Sequence, residues 1–170
     1  MQRQSELQNW LHSLYPDRPF ELAFAAADAD FRRYFRATFS DGQTVICMDA
    51  PPDKMSIAPY LKVQKLFSML NVPQVYHADE TLGFAALSDL GSTTYLAAMQ
   101  HDGSGAAHKA LLLEAIDELI VLQKASRPDV LPPYDREVML REINLFPDWF
   151  AAKELGKPFN FKQKQLWQQV

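Results

Sequence analysis

The order of its extended and helical segments constrains the fold of this 170-residue chain more than any other feature. Alternating hydrophobic residues between turn signals predict short strands at 20–26, 33–39, 44–49, 74–78 and 83–87. One helical pattern, over 57–70, lies between the third and fourth strands, and only helical patterns follow the fifth. The chain is therefore predicted to be an α+β protein, in which a five-stranded antiparallel sheet with one inserted helix precedes a helical part.

Short turns and a preceding helix frame the first three strands, which we predict to form an antiparallel meander. Small and acidic residues over 27–30 make the first turn, and Ser-Asp-Gly at 40–42 makes the second. Upstream, Ser5 and Gln8 have the spacing of a capping box. The apolar residues that follow recur on one helical face, at Leu7, Trp10, Leu11 and Leu14. A short N-terminal helix docked on the sheet is therefore expected.

The second half of the chain is predicted to be helical, so we place a domain boundary between 1–91 and 92–170. A loop at 103–105 precedes a long helix over 107–125. The apolar stripe of this helix consists of Leu112, Ile116, Leu119 and Ile120.

Two further helices are predicted beyond this one. The first begins near Asp135, is kinked or restarted at Pro147, and is capped at its C-terminal end by Gly156. Asn160 and Gln163 have the spacing that predicts the start of the second.

Composition argues against several classes of function. The net charge is −4 and the pI is about 5.5, whereas nucleic acids and anionic membranes are bound by clustered Lys and Arg. No apolar run approaches the ~20 residues that span a bilayer, and the first residues do not resemble a secretory leader. Cys47 is the single cysteine, so no intrachain disulfide can form. We therefore expect a cytoplasmic protein with neither a nucleic-acid nor a membrane partner.

Familiar catalytic motifs are not found in the sequence. There is neither a P-loop nor a Rossmann glycine pattern, and the four histidines lack the spacing of paired metal ligands. Cys47 lies in an apolar strand, which is more typical of a core residue than of a nucleophile. The triplets at 77–79 and 89–91 resemble a kinase catalytic loop and magnesium triplet in letters only. Phe84 stands where that loop needs Asn, and both triplets precede the helical part.

Four segments along the chain carry a resemblance to a known family. They read DFRRYFR at 30–36, VICMDAPP at 45–52, LSDLG at 87–91 and REINLFPDWF at 141–150. In these segments, and in the order of its strands, the chain resembles the aminoglycoside phosphotransferase-like family, which has the protein-kinase-like fold. Within it, the chain is similar to bacterial kinases that phosphorylate N-acetylmuramate and N-acetylglucosamine at the anomeric hydroxyl. The resemblance implies a kinase-like N-lobe and hinge over 1–91 and an incomplete helical C-lobe over 92–170.

ATP is the cofactor that the resemblance implies, and its base would lie at the end of the fifth strand. The backbone of Ser88, Asp89 and Leu90 would form the hinge that hydrogen-bonds adenine. The apolar walls of the site would be Ile46, Leu87 and Leu90. The alternative is a plain strand-to-helix connection in which Gly91 supplies a turn.

On the phosphate side, the resemblance implies contacts from the first turn and from the third strand. Arg32 or Arg33 would donate to the phosphates; alternatively, they lie on a solvated strand edge or pair with Asp28 and Asp30. Kinases of this fold carry a lysine on the third strand, paired with a glutamate on the next helix. Here Met48 stands at the lysine position and the next helix contains no Glu. Met48 would then line the nucleotide site, and affinity would rest on other contacts.

For the acceptor sugar, the resemblance implies contacts from Glu142 and Trp149, which would otherwise be a surface Glu and an ordinary packed Trp. In the family, the Asp that orients the acceptor hydroxyl and the ligands of Mg²⁺ follow the part matched here. We therefore expect no catalytic residue in this chain, and Mg²⁺ only together with a C-terminal part. On this interpretation the chain is a fragment of a longer kinase or a shortened natural product.

Three functions remain open from the sequence. The first is the nucleotide-binding portion of an ATP-dependent amino-sugar phosphotransferase, inactive by itself, with ATP and an amino sugar as partners. The second is a non-catalytic nucleotide-binding or regulatory module. The third is an interaction domain that self-associates through an apolar face, since such a face would be exposed without a C-terminal part.

Overall fold

A computed structural model describes residues 2–27, 30–101 and 105–169 of the chain. Within them the protein is α+β, with a five-stranded antiparallel sheet. The elements up to the end of the sheet are α1 (Gln2–Leu14), β1 (Phe20–Ala27), β2 (Arg33–Phe39), β3 (Thr44–Asp49), α2 (Ala58–Leu66), β4 (Val75–Asp79) and β5 (Phe84–Ser88). The elements that follow are α3 (Tyr95–His101), α4 (Gly105–Ala125), α5 (Arg136–Leu145), a π-helix (Phe146–Glu154) and α6 (Phe161–Trp167).

The strand order in the sheet is β1-β2-β3-β5-β4, and every neighbouring pair is antiparallel. The predicted meander of the first three strands is confirmed, and so is the position of the inserted helix between β3 and β4. β4 and β5 each begin one residue later than predicted. Gly83 takes a positive φ of 70° and donates to the Asp79 carbonyl at 2.8 Å, so it belongs to the turn rather than to β5.

Helices cover both faces of the sheet. Because side chains alternate along a strand, β2, β3 and β5 each contribute to two apolar clusters. On the face that α1 covers, Leu7 and Leu11 pack against Phe35, Ala37, Phe39, Val45, Cys47, Phe84 and Ala86. On the face that α2 covers, called the α2 face below, Ile57 packs with Met48, Ala50, Ala85 and Leu87. The predicted docking of the N-terminal helix through Leu7 and Leu11 is thus confirmed.

Two predicted helix boundaries are wrong by about one helical turn. α1 begins at Gln2, so Ser5 lies within the helix rather than at its cap. The reason is tertiary, since Arg3 in the first turn is bound to Asp49 and extends the ordered helix toward the N-terminus. α2 ends at Leu66 instead of continuing to residue 70. Beyond it the chain makes successive tight turns, in which Leu70 donates to the Phe67 carbonyl at 3.0 Å.

One helix was not predicted at all. α3 is only seven residues long, too short to show helical periodicity, and unlike the equally short α6 it lacks a capping-box pair, because Ala97 stands three residues after Thr94. A local signal is present at its start, because the Thr94 hydroxyl accepts a hydrogen bond from the Ala97 N–H at 3.1 Å. Of the loop predicted at 103–105, residues 103 and 104 lie outside the described residues, and Gly105 begins α4.

The chain divides into two compact units, Met1–Ser126 and Arg127–Val170. The predicted domain boundary after residue 91 lies within the first unit and stays a prediction. In the second unit, Asp135 caps α5 and Gly156 ends the π-helix with a φ of 62°. The predicted capping box of Asn160 and Gln163 at the start of α6 is confirmed. Within the described ranges, no helix is both long enough and apolar enough to cross a bilayer.

Candidate functional site

The α2 face brings together three of the side chains predicted to contact a nucleotide. Ile46 on β3 lies opposite Leu87 on β5, and Met48 lies opposite Ala85, so the three share one face of adjacent strands. Met48 is fully buried and Leu87 is 2% exposed, whereas Ile46 is half-buried. Of these three, Ile46 therefore presents the largest free surface to a ligand.

The environment of Met48 explains why a neutral residue suits this position. Its side chain is enclosed by the apolar cluster of the α2 face, which includes Tyr34, Tyr60 and Leu61. α2 carries no acidic residue that could pair with a lysine here. A charged side chain without a partner in such a place would cost several kcal/mol, so methionine is the compatible residue.

The segment that follows β5 is fixed by the carboxylate of Asp89. Arg36 on β2 donates from Nε to Oδ2 at 2.6 Å and from Nη2 to Oδ1 at 3.1 Å. The Gly91 N–H donates to Oδ1 at 2.8 Å, and the Thr44 hydroxyl also donates to the carboxylate. The hydrogen bond from Arg36 is the main cause that lowers the pKa of Asp89 to about 2. Asp89 is therefore a charged acceptor at neutral pH.

The backbone groups of the predicted hinge are not equivalent. The Ser88 N–H donates to the Gln74 carbonyl at 2.8 Å, and the Ser88 hydroxyl accepts from the Gln74 N–H at 2.8 Å. In contrast, the N–H groups of Asp89 and Leu90 have no hydrogen-bond acceptor among the described residues. A flat ligand placed against residues 88–90 would thus meet two backbone N–H donors, those of Asp89 and Leu90, rather than three.

The Leu90 side chain lies apart from the other two predicted apolar walls. It is 58% exposed and lines an open groove of about 840 Å³, together with Leu70, Tyr95 and Leu119. Ile46 and Leu87 belong instead to the cluster on the α2 face. The role of Leu90 as a wall stays a prediction.

The two arginines predicted for the phosphate side lie in different surroundings. Arg32 pairs with Asp30, whose pKa is lowered mainly by the Arg32 backbone N–H donating to its carboxylate at 2.8 Å. This is the ion pair considered as the alternative for Arg32. Arg33 is bound to the buried carboxylate of Asp49 on the face that α1 covers. Asp28, the other acid considered, lies outside the described residues.

A cavity beside Arg32 adds residues that the sequence reasoning missed. It has a volume of about 540 Å³ and is lined by Arg32, Met55, Ser56, Ile57 and Tyr60, with α2 residues beyond them. Burial raises the pKa of the Tyr60 hydroxyl. Arg32 and the start of α2 therefore flank an open, mostly apolar groove on the first unit. The sequence signal closest to this groove is the pair Pro51 and Pro52, which indicates only where β3 ends.

Glu142 and Trp149, predicted to contact an acceptor, both belong to the second unit. Glu142 Oε1 lies 3.3 Å from Arg141 Nη2, and the Trp149 side chain is 64% exposed. What the sequence reasoning missed there is an aromatic cluster, in which Phe146 stacks on both Phe150 and Trp167. The Trp167 indole N–H also donates to the Asn144 side chain at 3.1 Å. Acceptor binding by Glu142 and Trp149 stays a prediction.

The described ranges contain no group of three or more His, Cys, Asp or Glu side chains placed to hold a metal ion. The residues present there do not fit Mg²⁺ as a directly bound ion. A nucleotide fits this part of the chain better, because two backbone N–H groups that have no acceptor in the described ranges, those of Asp89 and Leu90, follow Leu87, which lies opposite the half-buried Ile46.

Comparison with known proteins found no matching family model. The whole chain is 73% identical to an N-acetylmuramate/N-acetylglucosamine kinase of Neisseria meningitidis serogroup B, of which it covers 51%. It is 37% identical to the protein of the same name from Pseudomonas aeruginosa over 99% of this chain and 52% of that protein. A third kinase of this name, from Pseudomonas putida, is 35% identical over 96% of this chain and 49% of its own length. The chain spans about half the length of the curated relatives it matches.

Proposed function

We propose that this chain is the nucleotide-binding portion of an ATP-dependent kinase that phosphorylates N-acetylmuramate or N-acetylglucosamine. The observation that carries the proposal is the 73% identity over all 170 residues to a kinase of that name. The five-stranded sheet with one inserted helix supports it, because this is the arrangement expected of a kinase-like N-lobe. Use of ATP would place the protein in the cytoplasm. Its proposed substrates would give it a role in the recycling of cell-wall sugars.

The residues that would hold the nucleotide lie on the α2 face and at its edge. Ile46 and Leu87 would contact the base, over the buried Met48, and the N–H groups of Asp89 and Leu90 would donate to its acceptor edge. Arg32, beside the cavity at the start of α2, would meet the phosphates by exchanging its pairing with Asp30. ATP would supply the transferable phosphoryl group when bound.

Chemistry on the sugar would need a free carboxylate and ligands for a metal ion, which the described residues of the candidate site do not offer. The described carboxylates at the candidate site are already engaged, because Asp89 is bound by Arg36, and Asp30 by Arg32. Glu142 and Trp149 are the proposed sugar contacts. We therefore propose that the chain binds ATP and does not transfer phosphate by itself.

Calorimetric titration of the purified 170-residue chain with ATP tests the binding proposal directly. Saturable binding is expected both with and without Mg²⁺, and ATP methylated on the hydrogen-bonding edge of its base should bind at least about tenfold more weakly. Leu112→Ser, on the exposed face of α4, is the matched control and should bind ATP like the natural chain. Equal affinity for ATP and the methylated analogue would exclude base recognition by the hinge.

The second measurement separates binding from catalysis. Incubation of the chain with ATP and N-acetylmuramate or N-acetylglucosamine should release no ADP, whereas the longer Neisseria relative under the same conditions serves as the positive control. Turnover by the 170-residue chain would contradict the proposal that it does not transfer phosphate by itself.

An interaction module is the second candidate function, and one observation favours it. The predicted stripe of α4, formed by Leu112, Ile116, Leu119 and Ile120, is 40–53% exposed. Exposed apolar faces of this kind commonly mark interfaces, and a second copy of the chain is the simplest occupant. Light scattering should then show a mass that rises with protein concentration, and Ile116→Glu should restore the monomer. A constant monomeric mass would rule this candidate out.

A further inference from the structure

Arg36 and Asp89 are joined across an intervening strand. Arg36 on β2 lies opposite Ile46 on β3, and Ile46 in turn lies opposite Leu87 on β5, so these residues form one row on the α2 face. Strands lie about 4.8 Å apart, so the Arg36 side chain must extend across β3 to reach the segment after β5. The ion pair therefore ties β2 to that segment across the row that contains Ile46.

The pair differs from an ordinary surface ion pair in burial and in the number of its hydrogen bonds. The Asp89 side chain is 8% exposed and that of Arg36 is 30% exposed. Two donors of Arg36, the Gly91 N–H and the Thr44 hydroxyl together use the accepting capacity of the carboxylate. Arg36 Nη2 also lies 3.3 Å from the Gly91 carbonyl, so one guanidinium holds both ends of the short turn from Asp89 to Gly91.

We propose that Arg36 and Asp89 are positioning residues for purine recognition, and this inference rests on the proposed function. Their side chains are engaged with each other and do not contact the nucleotide. They hold the turn so that the N–H groups of Asp89 and Leu90, which lack acceptors in the described part of the chain, stay fixed directly after Leu87, the residue opposite Ile46. A turn ordered before binding removes an entropic cost that a mobile turn would impose on each bound purine.

The assignment predicts an effect on the base and none on the phosphates. Arg36→Met and Asp89→Ala should each weaken the binding of both ATP and adenosine by about tenfold or more. Binding of inorganic tripolyphosphate should change less than about twofold, because neither side chain is assigned to the phosphates. The double variant should bind no more weakly than either single variant, since each substitution already removes the same pair.

Conservative variants keep the test valid if Arg36→Met or Asp89→Ala fails to fold. Arg36→Lys retains the charge but not the two-pronged geometry, and Asp89→Asn retains an acceptor for the Gly91 N–H. Both should give intermediate losses of adenosine affinity while still unfolding cooperatively above the temperature of the binding measurement, which shows that the variants are folded. Hydrogen exchange at residues 88–91 should be faster in these variants than in the natural chain.

The outcomes separate this inference from the proposed function. If the natural chain binds ATP and the folded variants bind adenosine with unchanged affinity, the positioning role is wrong while nucleotide binding stands. Equal losses for adenosine and tripolyphosphate would also overturn it, because they would indicate a general structural defect. Failure of the natural chain to bind ATP would refute the proposed function, and the positioning role with it.

Discussion

Arg3 in α1 donates two hydrogen bonds to the carboxylate of Asp49 at the end of β3, from Nε at 3.1 Å and from Nη2 at 2.5 Å. The Asp49 side chain is fully buried, and Arg33 binds its other oxygen. Arg3 also donates to the Leu82 carbonyl at 2.8 Å and lies 4.5 Å from the centre of the Phe84 ring. One buried carboxylate therefore ties the first turn of α1 to the sheet.

Asp49→Ala should destabilise the first unit by about 3 kcal/mol, because it removes the shared partner of two arginines and leaves a small cavity. Arg3→Met should cost less, about 1–2 kcal/mol, since Arg33 still neutralises the carboxylate. Urea unfolding followed by circular dichroism measures both. Lys54→Met, which breaks the exposed pair with Asp53, is the control and should shift stability by less than ~0.5 kcal/mol. Similar losses for Asp49→Ala and Lys54→Met would show that burial adds nothing here.

Gly83→Ala should be among the most damaging single-methyl additions in the first unit. Its φ is 70°, and a Cβ there would lie 1.9 Å from the Ala50 carbonyl oxygen. Gly42 has a similar φ of 82° but open space around it, so Gly42→Ala isolates the cost of the backbone conformation. We expect about 1 kcal/mol for Gly42→Ala and at least ~3 kcal/mol for Gly83→Ala, read from thermal or urea unfolding. Equal costs would mean that the backbone shifts to admit the methyl group.

Cys47 should be unreactive in the folded protein. Its side chain is fully buried in β3, so a reagent cannot reach it, and burial raises the pKa of its thiol to about 12. Labelling by a thiol reagent near pH 8 should therefore be at least ~100-fold slower than in denaturant, since both access and thiolate are scarce. Labelling at comparable rates in the two states would place the thiol at the surface.

The Arg36–Asp89 pair should make the free energy of unfolding depend on pH in the acid range. The pKa of Asp89 is lowered from 3.8 to about 2 in the folded chain, so the unfolded chain binds this proton more readily. Its contribution is therefore complete above about pH 4 and is lost as the pH falls toward about 2. At neutral pH, Asp89→Asn should cost roughly 1–2 kcal/mol, and this difference should shrink as unfolding is measured from about pH 6 to about pH 3. A difference that is constant with pH would exclude the ion pair as its source.

Much of the fold could be predicted from local patterns. β2 and β3 have the predicted bounds, and the cap formed by Asn160 and Gln163 is present, because both depend on neighbouring residues. α3 escaped prediction because seven residues show little periodicity. The start of α1 was misplaced because Arg3 is held by a partner 46 residues away.

The candidate site was predictable in part, and the division has a physical cause. Alternation along β3 and β5 indicates that Ile46, Met48 and Leu87 share a face, and the structure brings them together. Alternation does not indicate which donors in the hinge remain available. The use of the Ser88 N–H by Gln74 depends on how β4 lies beside β5, and so it emerged only from the sheet.

By itself, the sequence determined the succession of strands and helices and the side of the sheet on which each strand residue lies. These follow from periodicity and turn chemistry, which act over a few residues. The tertiary structure decided that Arg33 binds Asp49 and Arg36 binds Asp89, whereas the pair of Arg32 with Asp30, two residues away, was already an alternative in the sequence. Ion pairs between strands depend on register and on distance in space, and neither can be inferred from the number of residues that separate two positions.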